Sequence, residues 1–477
     1  MKQGETEIFD AVFGSDSKGD TAEERAKSSR QRFVRSQHQL SPYRDNATGR
    51  ILNASEALRL IGWQKLRDLA DRNAVPIVAN SDEPYKSITE QLQLIGVDFS
   101  KAAQKCRWST DSIRRFQARQ QVPFRDLERM AQAIDLDEDK LGTIESAGVD
   151  HQLGVRLKTL KSSDPNRFSD NTVLGLAEAA WTIRKQIQLA SLVQEMDEHV
   201  ISDLGVVPSD DYGSSLTPSY KMGYRLARQT RELLGIELNA PIDSLKELIE
   251  TRLRIPVVQV ELHSDFAGAT VASDQYRGIV VNLLGDNSKA LVRRMTMAHE
   301  LGHLLWDPDQ RLKKLRVDRY DQLEEDAVAD NYPLDHVERR ANAFAIEFLA
   351  PGDAIINAFR KAENDGAGLQ HLIETFGVSR TAIVRHLFNA SHNQIDLTTT
   401  RSNYVPVEDW EVRESLAVPV FNPQDVPVSR RGRFAYLVYK AFNASLISSD
   451  TAASLYRCKP NELKAALEST KNFLLPS

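Results

Sequence analysis

Residues 287–306 read NSKALVRRMTMAHELGHLLW, and the segment predicts a single helix. His299 and His303 stand four residues apart within it. Residues at that spacing lie one turn apart on the same helix face, so both imidazoles could bind one metal ion. Glu300 follows His299 directly and would lie beside the metal, where it is not a ligand.

Glu300 has the chemistry of a general base at such a site. Its carboxylate could take a proton from a water molecule and return it to a leaving amine. Zinc lowers the pKa of a bound water to about 7 and polarises a scissile carbonyl, so no covalent intermediate is needed. The spacing therefore predicts a zinc-dependent hydrolase, and it requires a third protein ligand.

Glu338 is the candidate third ligand, and it follows His303 by 338 − 303 = 35 residues. It opens ERRANAFAIEFLAP, which predicts a second helix that would bring the carboxylate to the metal. Asn342 lies one turn after Glu338 on the same face and could hydrogen-bond a ligand histidine. The residues expected to face the core are Ala341, Phe344, Ala345, Phe348 and Leu349.

Two alternatives accompany this metal site. HELGH could belong to a surface helix with incidental histidines, because short motifs of this kind arise by chance. His336, two residues before Glu338, is a rival ligand or oxyanion donor, and we favour a solvated loop histidine there.

Runs rich in β-branched residues precede the first helix and predict a small sheet. They are RIPVVQVEL, FAGATVA and YRGIVVNLL. An extended peptide would pair antiparallel with a sheet edge near Phe266–Ala272, with its side chains in pockets.

The segments RRMTMAHELGH and ERRANAFAIEFLAP together resemble the ImmA/IrrE family of zinc metallopeptidases. GIVVN and FGVSRTAIVRHL sit where that family has a sheet strand and a helical segment, so the resemblance covers about residues 217–390. It implies a zincin-like domain with His299, His303 and Glu338 as zinc ligands and Glu300 as general base. It also implies a bacterial regulatory peptidase that inactivates repressors and controls mobile elements, as in phage defence, or stress responses.

A run of short amphipathic helices is predicted within residues 86–142, ending with DEDKLG. It resembles the lambda-repressor-like helix-turn-helix family, whose third helix enters the major groove of DNA. Arg114, Arg115 and Arg119 would remain available for phosphates or bases. Cys106 and Arg107 stand where a small turn residue is usual. The alternative is a helical bundle that packs on the peptidase or on a partner.

Length and charge bound the architecture. At 477 residues and 53.6 kDa the chain is too long for one hydrophobic core, so several domains are expected. Charged residues at 27% and hydrophobic residues at 41% are typical of soluble globular proteins. The net charge of −6 excludes a uniformly basic nucleic-acid coat, so DNA contact would need a local patch.

Cysteine usage predicts a reducing compartment. Cys106 and Cys458 lie far apart in sequence, which favours neither a disulfide framework nor a thiolate metal site. The first residues lack the apolar core of a signal peptide, and no run approaches 18 apolar residues. We therefore expect a cytoplasmic protein without membrane contact.

These observations predict an α+β, multi-domain, mainly helical protein with a small β-sheet and a zincin-like metallopeptidase domain. The predicted segments are a flexible polar N-terminus at 1–48, a small helical element at 49–85, a helix-turn-helix-like module at 86–142, a helical connector at 143–216, the zinc metallopeptidase domain at 217–395 and a C-terminal helical region at 396–477.

The predicted function is a regulatory zinc-dependent endopeptidase that hydrolyses peptide bonds in a partner protein, a transcriptional repressor. One alternative is a DNA-binding transcriptional repressor or antitoxin whose peptidase domain acts as a sensor. Another is a zinc amidase acting on a small molecule, since the same ligands suit any hydrolysis. The expected partners are the protein substrate and duplex DNA, and the oligomeric state is left unassigned.

Overall fold

The computed structural model describes residues 3–80, 82–143, 168–195, 206, 218–262, 266–272, 276–308, 316–319, 336–400, 408–414 and 421–474. The chain forms two compact units. Unit 1 combines Met1–Glu195 with Ala417–Ser477, and unit 2 is Met196–Leu416. Unit 2 is therefore an insertion between two parts of unit 1.

The N-terminal part of unit 1 begins with helices and a small sheet and continues with a run of short helices. Its elements are α1 (Gln3–Phe13), α2 (Ala22–Ser28), β1 (Arg32–Arg35), β2 (Gln39–Pro42), β3 (Arg50–Asn53), α3 (Ala54–Ile61), α4 (Trp63–Asp68), β4 (Val75–Pro76), α5 (Tyr85–Ile95), α6 (Phe99–Lys105), α7 (Thr110–Gln117), α8 (Phe124–Ala133) and α9 (Asp170–Leu192).

Unit 2 then supplies a second sheet and further helices. Its elements are α10 (Ser219–Leu233), α11 (Leu245–Glu247), β5 (Val257–Val260), β6 (Phe266–Ala272), β7 (Arg277–Asn282), α12 (Ala290–Trp306), β8 (Arg316–Arg319), α13 (His336–Leu349), α14 (Gly352–Phe359), α15 (Asp365–Phe376), α16 (Arg380–Ala390) and α17 (Glu408–Arg413). The chain returns to unit 1 with α18 (Arg433–Asn443), α19 (Ser449–Tyr456) and α20 (Leu463–Leu474).

The N-terminal segment is folded, in contrast to the flexible segment expected at 1–48. Its strands join an antiparallel sheet in the order β3-β1-β2-β4. Phe9 and Phe13 of α1 are buried, and the Phe13 ring stacks on Trp63 with centroids 5.6 Å apart. Thr21 and Glu24 form a capping box at the start of α2. A few apolar residues are enough to fold this segment, because they pack against Trp63, which lies outside it in sequence.

Helices α5 to α8 cover the segment at 86–142 for which a helix-turn-helix-like module was predicted. Apolar side chains of these helices and their connections are buried, apart from a half-buried Ile113: they include Ala103, Trp108, Phe116, Leu127, Met130, Ala131 and Ile134. Arg107 between α6 and α7 has φ 55°, and Ser109 caps α7 by accepting from the Ser112 amide at 3.0 Å.

The last helix of the predicted run, DEDKLG, does not form. Residues 138–142 form turns instead. The Asp137 carboxylate accepts from the Asp139 amide at 3.0 Å, and Gly142 has φ 76°. Such local hydrogen bonding by Asp competes with a helix, and it explains the turn.

The C-terminal helices complete unit 1. Helix α18 packs on α9, and α19 packs on β3 and α8. Trp181 of α9 is fully buried, and the Arg430 guanidinium lies 4.0 Å from the centroid of its ring. Arg50 of β3 donates to Thr451 of α19 at 2.9 Å. Residues 421–474 are thus part of the core of unit 1, whereas the sequence suggested a separate C-terminal region.

The sheet of unit 2 has the order β5-β7-β6-β8. Strand β5 runs parallel to β7, while β6 is antiparallel to both β7 and β8. The three runs predicted as strands form β5, β6 and β7. Strand β8 lies between α12 and α13, in a stretch for which no strand was predicted.

Helix α12 is buried along nearly its whole length, between this sheet and α13. A Cβ on Gly302 would lie 2.8 Å from Phe344, so glycine permits the close approach of α12 and α13. The predicted core face of α13 is buried throughout. Residues 408–414 also belong here, beyond the predicted boundary at 395, because Arg294 and Glu414 form a fully buried ion pair.

Candidate metal centre

Two helices bring the predicted ligands together. His299 and His303 project from α12, and Glu338 projects from the first turn of α13. The two Nε2 atoms are 3.0 Å apart. Glu338 Oε2 is 3.2 Å from His299 Nε2, and Glu338 Oε1 is 3.6 Å from His303 Nε2. All three side chains are buried, and their ligating atoms lie within 4.8 Å of one another, so the group could hold a metal ion.

Each imidazole is oriented through its other nitrogen. His299 Nδ1 lies 2.8 Å from the Asn342 side-chain oxygen, and His303 Nδ1 lies 2.9 Å from an Asp307 carboxylate oxygen. Arg340 of α13 binds the second Asp307 oxygen. A neutral imidazole that donates from Nδ1 presents its Nε2 lone pair to the centre, which is the form a metal requires.

Opposite charges attract one another within the cluster. Burial lowers the pKa of His303, but the Glu338 and Asp307 carboxylates outweigh it and hold that pKa well above its usual range. Burial raises the pKa of Glu338, yet the two histidines reverse this effect and keep it well below its usual range. A cation that replaced the His303 proton would meet the same carboxylates.

Glu300 lies fully buried beneath β6. The Thr270 hydroxyl donates to Glu300 Oε2 at 2.6 Å. Gly268, two residues earlier on β6, also faces the Glu300 side chain. The carboxylate predicted as general base is therefore adjacent to a ligand in sequence and held by the neighbouring strand.

The other predicted site residues lie outside the cluster of His299, His303 and Glu338. His336 is exposed at the first position of α13 and is not in the cluster. Arg114, Arg115 and Arg119 lie in or just after α7 of unit 1 and take no part in the metal centre.

Sequence reasoning missed Asp307, Arg340 and Thr270. Asp307 follows His303 by four residues, so the helical spacing could have indicated that it faces the ring. Arg340 and Thr270 reach the site from other elements, and local spacing carries no signal for either contact.

The expected peptide-binding edge at Phe266–Ala272 is wrong. Strand β6 pairs with β7 on one side and with β8 on the other, so its hydrogen-bonding groups serve the sheet itself. Among the strands that the structure describes, β5 and β8 lie at the edges of this sheet.

Residues 264–388 match the family model of the IrrE N-terminal-like domain, Peptidase_M78. The matched segment contains β6, β7, α12 and α13, and so all three residues of the metal centre. The IrrE-like match supports a metallopeptidase-type domain in unit 2. No curated protein matches the chain. Within the described ranges, no helix combines the length and apolar character needed to cross a bilayer.

Proposed function

We propose that the protein is a regulatory, zinc-dependent endopeptidase whose metal ligands are His299, His303 and Glu338. The observation that carries the proposal is the convergence of two imidazole nitrogens and one carboxylate within 4.8 Å, inside the segment that matches the IrrE-like family. Three protein ligands are typical of catalytic zinc sites, whereas structural sites use four.

The donor set fits zinc. Nitrogen from imidazole and oxygen from carboxylate are both common zinc ligands, and hydrogen bonds to Asn342 and Asp307 favour the tautomers that bind metal. Bound there, zinc would polarise a peptide carbonyl and acidify a water molecule.

Glu300 is the general base of this proposal. It accepts a proton from the attacking water as the new C–O bond forms at the peptide carbonyl. It then delivers that proton to the amide nitrogen as the C–N bond breaks, so the products are a carboxylate terminus and an amine terminus. Burial of Glu300 excludes bulk water from this transfer.

The proposed substrate is a flexible segment of a partner protein, a transcriptional repressor, cleaved in the cytoplasm. Support comes from the regulatory character of the family that the sequence resembles. The two buried and unpaired cysteines also suit a reducing compartment.

The test is cleavage of candidate repressors by the zinc-loaded chain, with fragments mapped by mass spectrometry. Wild type should cut a polypeptide, and Glu300→Gln should keep zinc and fold yet lose cleavage, because an amide cannot accept the proton. Cleavage by Glu300→Gln at the wild-type rate would remove Glu300 from its role. Hydrolysis of small amides alone would favour the amidase alternative.

A second candidate function, duplex DNA binding by residues 86–142, is favoured by the exposure of α7. The side chains of Arg114 and Arg115 are 78% and 48% exposed, and that of Arg119 is 59% exposed. The left-handed turn at Arg107 separates α6 from α7, as a helix-turn-helix requires. If the site binds zinc but cleaves no peptide, DNA binding would instead fit the alternative function, a transcriptional repressor or antitoxin whose peptidase domain acts as a sensor.

Salt dependence tests the DNA function. Phosphate contacts release counterions, so affinity for a duplex from the region upstream of its own gene should fall steeply as salt rises. Replacing Arg114 and Arg115 by Ala should weaken binding and flatten this dependence without altering zinc content. Absence of binding at low salt would assign the module to protein contact.

A further inference from the structure

Strand β6 presents two small residues to the Glu300 side chain. Gly268 and Thr270 are two positions apart, so they lie on the same face of the strand. Both are buried against α12, at the turn of that helix that carries the HELGH sequence.

Thr270 makes a directional contact with Glu300. Its hydroxyl donates to Oε2 at 2.6 Å, while the backbone oxygen of Glu300 lies further away at 3.5 Å. Short hydrogen bonds from a hydroxyl to a carboxylate are charge-assisted and stronger than neutral ones. The hydroxyl therefore limits rotation of the carboxylate about its own axis.

Gly268 supplies the space that this arrangement needs. A Cβ at position 268 would lie 2.7 Å from Glu300 Oε1 and 2.6 Å from Thr296 Cγ2. Both distances are shorter than real Cβ contacts, so any side chain would push the carboxylate or the helix away. Thr270 therefore holds Oε2 of Glu300 by a hydrogen bond, and Gly268 leaves space for Oε1.

We propose that Thr270 is a positioning residue for Glu300, and that the missing side chain of Gly268 provides the space that the Glu300 carboxylate needs. The role rests on the proposed function, in which Glu300 transfers the proton. A general base must keep one oxygen within hydrogen-bond reach of the water it deprotonates, and a freely rotating carboxylate does this only part of the time.

The test uses the full chain loaded with Co²⁺ and the probe acetohydroxamate, so that no protein substrate is required. The hydroxamate gives up a proton to a nearby base when it binds a metal, and its affinity therefore reports the placement of Glu300. Cobalt affinity, measured separately by competition with a chelator, reports the metal ligands. Glu300→Gln is the reference for loss of the base.

Thr270→Val removes the hydroxyl at nearly constant volume, and Thr270→Ser retains it. We expect acetohydroxamate affinity to fall about tenfold in Thr270→Val and to stay near wild type in Thr270→Ser, with cobalt affinity unchanged in both. Thr270→Ala and Gly268→Ala should weaken the probe similarly, and they replace Thr270→Val if that variant does not fold.

Two failures can be told apart. If wild type binds neither cobalt nor the probe, the proposed function falls and this role falls with it. If wild type binds both, and Thr270→Val or Thr270→Ala binds the probe as tightly as wild type, the positioning role alone is overturned. Once a cleavable partner is known, Thr270→Val should lower kcat and leave KM near its wild-type value.

Discussion

Unit 1 and unit 2 each bury a cluster of titratable side chains, and the two clusters are built by opposite rules. In unit 1, Arg50 lies 3.0 Å from Glu128 and 2.9 Å from Asp139, and Lys185 lies 2.8 Å from Asp139. Cations and anions alternate there. In unit 2 the ligating atoms of two histidines and Glu338 converge on a common point, with two ring nitrogens only 3.0 Å apart.

This difference shows which property marks a site. Burial raises the pKa of Asp139, but Lys185 and Arg50 outweigh it and hold the pKa well below its usual range, as the histidines do for Glu338. Perturbed pKa values therefore occur in both clusters. Convergence of groups that can share lone pairs with a cation distinguishes the candidate metal centre. In unit 1 the alternating charges neutralise one another, so that cluster needs no bound cation.

Loss of His303 should have the largest effect. Removing its imidazole in His303→Ala should abolish nearly all zinc binding, because two protein ligands are too few for a tight site. Metal analysis after dialysis measures the effect, against about one zinc per wild-type chain. Glu128→Gln in the cluster of unit 1 is the matched control and should keep its zinc. Full zinc in His303→Ala would sink the ligand assignment.

Pairing of charge in unit 1 predicts a loss of stability in acid. Burial raises the pKa of Glu178, but Arg457, Arg430 and Lys105 outweigh it and lower that pKa to about 2. Because the pKa is depressed in the folded state, its stabilisation is present above the ordinary value of about 4.5 and disappears as pH falls towards 2. The shift corresponds to about 3 kcal/mol of unfolding free energy.

Glu178→Gln should therefore destabilise unit 1 by roughly 3 kcal/mol near neutral pH and remove much of its acid sensitivity. Urea titration followed by hydrogen exchange in α9 measures this effect within unit 1. Glu468→Gln, in an exposed ion pair of α20, is the control and should change little. Equal stability of Glu178→Gln and wild type at neutral pH would contradict the argument.

Loss of a residue that orients a candidate ligand should weaken metal binding less than loss of the ligand itself. Asn342 is only half-buried, so Asn342→Ala removes the hydrogen bond to His299 with little change in packing. Loss of such a partner lowers metal affinity by about tenfold or somewhat more. Chelator competition provides the measurement, and Arg339→Ala on the same helix is the comparison variant. Identical affinities for wild type and Asn342→Ala would remove this partner from the site.

The smallest expected effect concerns exposed charges on α7, which belong to neither buried cluster. Asp111 contacts Arg114 at 2.8 Å and Arg115 at 2.6 Å on the surface of α7. If these arginines bind phosphates, Asp111→Asn should strengthen DNA binding by about twofold to fivefold, because one repulsive charge is lost. Gel-shift titration at two salt concentrations measures it, with Asp365→Asn in unit 2 as the control. Weaker binding in Asp111→Asn would speak against contact through this helix.

The convergence of the candidate ligands could be predicted from the sequence because helical periodicity places His299 and His303 on one face, and a second amphipathic helix carries Glu338. The strands before α12 were accessible for the same reason, since their β-branched runs are local signals. Strand β8 was not, because its pairing with β6 involves residues about 50 positions apart in sequence. Local patterns specify which element forms, and pairing depends on contacts across the fold.

The organisation of unit 1 was the least accessible part. Arg50 meets Thr451 across 401 positions, and no periodicity links β3 to α19. The N-terminal segment looked flexible because its charged residues outnumber its anchors, yet Phe13 packs on Trp63. Both errors have one cause, namely that burial is decided by partners distant in sequence.

The insertion of unit 2 also imposes an order on synthesis. The Ile51 amide donates a hydrogen bond to the Asp450 carboxylate at 3.0 Å, and Trp181 packs on Phe434, so unit 1 lacks part of its core until residues 421–474 leave the ribosome. Translation of the intervening segment, Met196–Leu416, takes roughly 10 to 45 s at ordinary rates. During that interval unit 2 can fold, while the side of α9 that packs on α18 still lacks its partner.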